Sequence, residues 1–142
     1  MDINNREIAY PKVQDHIDFL HTLKDLEENW DGYGAVPPSD QVIANSINFL
    51  RNLNENLLSH LDFNNITPTP HGTIDFQWEN DNDEYVSVEI GETLLGYMSE
   101  NIEDGLIYKD NEPVNDKGKI IFIKEIIEKI ITKTISSQWT GE

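Results

Sequence analysis

The side chains able to carry chemistry here are carboxylates and four histidines, because the chain has no cysteine. There is therefore no thiolate nucleophile, no thiolate metal site and no redox switch. His16, His21, His60 and His71 form no His-Glu-x-x-His pattern, and the five-residue step from His16 to His21 puts them on different sides of a helix. The expectation is no metal and no cofactor. Asp81-Asn82-Asp83-Glu84 begins like a calcium loop, but Val86 stands where that loop needs glycine, so a polar hairpin tip is expected. Neither a Gly-x-Ser-x-Gly elbow nor a phosphate-cradling glycine loop occurs. One pair remains: Asp75 and Glu89 could face each other across neighbouring strands, where like charges raise one pKa for acid–base work. The competing expectation is two solvated carboxylates on the polar face of a sheet.

The charge is more telling than any catalytic pattern. The formal net charge is −17, and residues 1–108 hold twenty-one carboxylates against Arg6, Lys12, Lys24 and Arg51, while the last thirty-four residues balance at six and six. Between Arg51 and Lys109 no Lys or Arg occurs, and twelve carboxylates do. Such a segment repels nucleic acid and anionic lipid and attracts cations. The partner-binding patch is expected around Glu79, Asp81, Asp83, Glu84, Glu100, Glu103 and Asp104, against a basic protein partner; a solvated acidic face that serves solubility is the alternative.

The richest stretch is Leu26-Glu27-Glu28-Asn29-Trp30-Asp31-Gly32-Tyr33-Gly34-Ala35-Val36-Pro37-Pro38-Ser39. Gly32 and Gly34 suit positive φ, Asp31 can accept bonds from amides two residues on, and Trp30 is expected to plug the seam between two helices and the sheet. The competing expectation is a surface recognition patch made by Trp30, Asp31 and Tyr33. A second distinctive stretch is Pro68-Thr69-Pro70-His71-Gly72 leading into Thr73 to Trp78. Together the two resemble the signature of a family of small, largely uncharacterised bacterial proteins. In that family a Trp-Asp-Gly/Ser-Tyr/Glu-Gly-Ala-x-Pro loop follows a first helix, and a Pro-x-Pro-x-Gly segment opens a strand ending in Trp. The resemblance covers roughly residues 20–95, with His71 in place of an acidic or amide residue. It implies a bacterial cytoplasmic protein and assigns no activity and no catalytic residue.

The elements that must position these groups follow from periodicity. Val13, Ile17, Leu20, Leu23 and Leu26 predict an amphipathic helix over 13–28, and Ser39 caps a second over 39–57 marked by Ile43, Ile47, Leu50, Leu53 and Leu57. Asn52, Asn54 and Asn56 are weak helix formers that blur its end. The period then drops to two: Ile74, Phe76, Trp78, Val86, Val88 and Ile90 alternate with polar residues, predicting antiparallel strands within 66–108 with those six side chains inward. Pro68 and Pro70 confine their segment to an edge. Ile120, Ile123, Ile126, Ile127, Ile130 and Ile131 predict a helix over 119–135. The expected fold is α+β: two N-terminal helices, a three- or four-stranded antiparallel sheet and a C-terminal helix covering one face.

A chain of 142 residues reads as one domain that buries about two thirds of its unfolded surface, with 1–12 and 136–142 as loose ends. Met1 to Asn5 lack the features of a signal peptide and no window matches a membrane span, so a cytoplasmic protein is expected. Three functional readings follow. The leading one is a non-catalytic acidic protein that neutralises a basic partner, in the manner of an inhibitor, immunity protein or antitoxin. A second is a small enzyme or ligand-binding domain with a pocket beside the Trp30–Gly34 loop, and a third is a structural subunit forming a homodimer through its isoleucine-rich helix.

Overall fold

The structure is a computed structural model that describes residues 12–140, with side chains described through Lys133. The first helix, α1 (Val13–Thr22), starts where the Asp15 carboxylate accepts the Lys12 N–H at 2.9 Å, and it tightens into a 3₁₀ turn over Leu23–Asp25. It is shorter than the expected 13–28. Ser39 caps α2 (Asp40–Arg51) by accepting from the Val42 N–H at 3.3 Å. The helix expected to reach 57 stops at Arg51. Asn54 then caps a separate short helix, α3 (Glu55–Ser59), its Oδ1 accepting from Leu57 N–H at 3.0 Å, as an asparagine side chain favours caps over helix interiors.

Five strands follow: β1 (Ile66–Pro68), β2 (Ile74–Glu79), β3 (Tyr85–Ile90), β4 (Leu94–Asn101) and β5 (Gly105–Pro113). They form one antiparallel sheet in the order β1-β2-β3-β4-β5. The expected α+β class holds, with five strands instead of three or four: Ile66–Pro68 forms an edge strand of its own, and the last strand runs past the expected limit of 108 through Lys109 to Pro113. Those polar residues carry no alternating apolar signal. The last element is α4 (Lys117–Thr140), longer at both ends than the predicted 119–135. Of the expected loose ends at 1–12 and 136–142, residues 1–11, 141 and 142 and the Trp139 side chain lie outside the described residues, whereas the backbone over 136–140 continues α4.

The helices cover one face of the sheet: α4 packs across β2, β3 and β4, and α2 against β3. Ile74, Phe76, Trp78, Val86, Val88 and Ile90 all point into this layer and are buried, as their period-two spacing requires. The Trp78 indole N–H donates to the Leu57 carbonyl at 2.9 Å, and Phe49 of α2 packs on both Phe76 and Trp78. His16 is buried, its ring nitrogens 3.0 Å from the Lys12 carbonyl and 2.9 Å from that of Leu61, linking α1 to the chain beyond α3. Six isoleucines of α4 join the same core: Ile120, Ile123, Ile126, Ile127, Ile130 and Ile131 are all buried. Ile121 and Phe122 of the same helix face outward and are exposed.

Candidate functional site

Among the described residues, no helix lies over the opposite face of the sheet. Register places the side chains of β2 to β5 there in rows. One row is Gln77, Ser87, Met98 and Tyr108; a second is Glu79, Tyr85, Glu100 and Leu106; a third joins Thr67, Asp75, Glu89 and Gly96. This face carries Asp75, Glu79, Glu89 and Glu100 beside Tyr85 and Tyr108, and the shallow groove along it, about 300 Å³, has Lys109 as the one basic residue among its walls. A β-bulge lies between Leu95 and Tyr97. There the missing side chain of Gly96 matters: a Cβ would come within 3.0 Å of the Asp110 carboxylate and 3.3 Å of the Lys109 carbonyl. Gly96 thus lets Asp110 lie over the sheet, adding a carboxylate to the row of Asp75 and Glu89.

Asp75 and Glu89 are register partners, as their spacing suggested. Each is held by a hydroxyl, Ser87 Oγ donating to Asp75 at 2.8 Å and Thr73 Oγ1 to Glu89 at 2.6 Å. Burial pushes the Asp75 carboxyl above its ordinary value, the Ser87 bond opposes this and the Glu89 charge reinforces it. Among the described residues, no group of three or more His, Asp or Glu is arranged to hold a metal ion.

The seven carboxylates singled out by sequence divide into three groups. Glu79, Asp81, Asp83 and Glu100 are exposed. Glu84 is not part of an accessible patch: only 2 % exposed, it accepts from Lys133 Nζ at 2.8 Å, from the Ile102 N–H at 2.7 Å and from Asn80 Nδ2 at 2.9 Å. The Lys133 ammonium, helped by these donors against the cost of burial, holds its carboxyl down to about 2. Glu103 and Asp104 are exposed but compensated. Lys129 lies 2.8 Å from Asp104 and 3.8 Å from Glu103, and Lys133 lies 3.3 Å from Glu103. The segment that looks uncompensated in sequence is partly neutralised by the last helix. Asn80 organises the tip at 80–84, its Oδ1 accepting from the N–H groups of Asn82 and Glu84 while its Nδ2 also donates to the Ile130 carbonyl at 3.2 Å.

The Trp30–Gly34 loop closes on itself. Asp31 Oδ1 accepts from Tyr33 N–H at 2.8 Å and Ala35 N–H at 3.1 Å, Asn29 N–H donates to the Ala35 carbonyl at 2.8 Å, and Gly32 and Gly34 adopt φ of 81° and 84°. The Asp31 bonds match the expectation, whereas Trp30 does not plug the core. It is half-buried, with its indole N–H donating to the Val36 carbonyl at 3.3 Å, because Ala35 and Pro38 occupy the buried positions of the loop instead. Tyr33 stands at the crown, 92 % exposed.

The two distinctive stretches touch: Val36 N–H donates to the Pro70 carbonyl at 2.9 Å, and Val36 bridges to His71. Beyond this contact opens a cleft of about 550 Å³, walled by Val36, Pro37, His71, Glu89, Glu92 and Asp110 among others, which runs into the open sheet face at Glu89, Gly96 and Asp110. Sequence reasoning missed Tyr85, Met98, Tyr108 and Asp110 as members of one surface. The signal lay in the alternation of β3 and β4, but which residues stand side by side depends on the register between strands, which alternation within one strand does not fix. No helix among the described residues is long and apolar enough to cross a membrane. No protein-family model, curated protein or solved structure matches the chain.

Proposed function

We propose that the chain is a non-catalytic binding protein that engages, and in doing so neutralises, a basic protein partner through the uncovered face of its sheet. The observation supporting this most strongly is that Asp75, Glu79, Glu89 and Glu100 share one helix-free face with Tyr85 and Tyr108. Carboxylates interleaved with tyrosines suit arginine and lysine, which pair with the acids and pack their cationic heads on the rings. The exposed Asp81 and Asp83 extend the negative field past the end of β2 and steer the encounter.

The test is capture of a partner from the native host followed by association kinetics at two ionic strengths. Exposed charges are screened beyond about 8 Å at physiological salt, so added salt should slow association more than it changes dissociation. The triple variant Glu79→Gln, Glu89→Gln, Glu100→Gln should reproduce this loss at low salt, and Asp81→Asn with Asp83→Asn should lower the association rate alone. An acidic partner, or an association rate indifferent to both salt and the triple variant, overturns the reading.

The cleft beside Val36 favours a second reading, a site for a small cationic ligand held by Glu89, Glu92 and Asp110. Thermal-shift titration with polyamines and with arginine tests it. Stabilisation that disappears in Glu92→Gln supports the reading; none at millimolar ligand rejects it.

A further inference from the structure

The two edges of the sheet are unlike. β1 has three residues, ends at Pro68 and is followed by Pro70, so it offers few backbone donors to another strand. β5 is nine residues long and forms the opposite edge, and its outer side has no strand beside it among the described residues. Natural edges are blunted by charge, proline or a bulge. In β5 these devices lie at the far end, where Asp110, Asn111 at φ 59°, Glu112 and Pro113 cluster. The stretch Gly105–Lys109 has only Lys109, and it displays Leu106 at 64 % and Tyr108 at 58 % exposure.

We infer that Gly105–Lys109 is a docking edge for an extended basic segment of the partner, which joins the sheet as a sixth strand. The inference rests on the acidic-face reading above and names how the partner is held. Backbone bonds to β5 would supply register. Alternate side chains of the incoming strand would fall beside Tyr108 and Leu106, continuing the rows that contain Ser87, Glu100 and Tyr85. An arginine next to Tyr108 meets the ring with Asp110 behind it, since the Tyr108 hydroxyl donates to Asp110 Oδ2 at 3.4 Å. Charge argues for this occupant over a second copy, because pairing two chains of net charge −17 brings like fields together.

The probe is a capped seven-residue peptide of alternating arginine and valine, with a twin N-methylated on alternate residues so that charge is kept and one bonding edge is lost. Binding to the whole chain is followed by fluorescence anisotropy, and amide exchange is followed at residues 105–109. The expected result is salt-sensitive binding of the first peptide, new protection of those amides, and affinity about tenfold or more weaker for the twin, the worth of two or three net hydrogen bonds. If both peptides bind alike and the amides stay unprotected, the edge proposal fails while the acidic-face reading stands. If neither binds at low salt, both fall. Protection that grows with protein concentration in the absence of peptide, together with a doubled sedimentation mass, assigns the edge to a second copy and overturns the proposal.

Discussion

Lys133 on the last helix lies 2.8 Å from Glu84, the residue just before β3, joining residues forty-nine positions apart. The same carboxylate accepts the Ile102 N–H from the turn between β4 and β5. One buried side chain thus fastens the 80–84 tip, the next turn and α4 together, and Lys129 adds a second tie through Asp104 at 2.8 Å. The negative charges at this end of the sheet are structural before they are available to a partner.

Removing Glu84 should therefore cost more than removing any other carboxylate of the 79–104 segment. Glu84→Ala is expected to destabilise by about 3 kcal/mol, the low end for breaking a buried pair, because Lys133 retains some contact with water. Asp81→Ala should change stability by less than about 0.5 kcal/mol. Urea unfolding of the two variants side by side checks this order.

Acid should reveal the same residue. The Glu84 carboxyl is held at about 2 in the folded chain against an ordinary 4.5, so its stabilisation is complete above about 4.5 and drains away as pH falls toward 2. The raised pKa of Lys133 keeps its charge at any pH below the ordinary lysine range, so the ammonium contributes nothing to that slope. Stability measured between pH 5 and 2.5 should fall less steeply in Glu84→Gln than in the parent.

Asp75 should show the opposite sign. Its carboxyl is raised, chiefly by burial, so the folded chain holds that proton longer than the unfolded chain and loses stability as pH climbs through the interval above 3.8. Asparagine mimics the protonated form and can still accept from Ser87. Asp75→Asn should match the parent near pH 3 and exceed it in stability at pH 7, read from thermal melts at both pH values.

Trp30 and Tyr33 separate loop architecture from loop display. With the indole only half-buried, Trp30→Ala should cost about 1–2 kcal/mol, below the 3–5 of a full core deletion. Tyr33→Ala should leave the melting temperature unchanged, since the side chain is almost wholly solvated. Asp31→Ala removes the acceptor of two loop amides and should cost about 1 kcal/mol or more, visible also as faster amide exchange at Tyr33 and Ala35.

Much of the fold was legible because it obeys a period. The alternation of Ile74 to Trp78 and Val86 to Ile90 identified both strands and their inward side chains, and the isoleucine spacing identified α4. What stayed hidden has a common cause: it depends on residues far apart in the chain. Lys129 and Lys133 reach back to Glu84, Glu103 and Asp104, and no local pattern announces that pairing. Lys109 to Pro113 is polar on both faces, so it carries no strand signature; its pairing with β4 alone makes it one. The open face became a surface only when that fifth strand set the rows in register. Trp30 was misplaced for a different reason, since hydrophobic size says nothing about whether a self-bonded loop lowers its ring into the core.

The sheet's neighbour order has a kinetic consequence. Every strand pairs with the next one in sequence through connections of five, five, three and three residues, so its closures cost little loop entropy and can form quickly. The closure that spans the most chain is α4 coming back over β2 and onto α3, where Asn54 Nδ2 lies 3.4 Å from Glu128, and it should come late. Truncating Ile127, buried in that contact, should accelerate unfolding and barely slow refolding, whereas a conservative cut at Val88 in the middle strand should slow refolding. The ion pairs from Lys129 and Lys133 then act as a latch on the native state, governing how long the chain stays folded more than how fast it gets there.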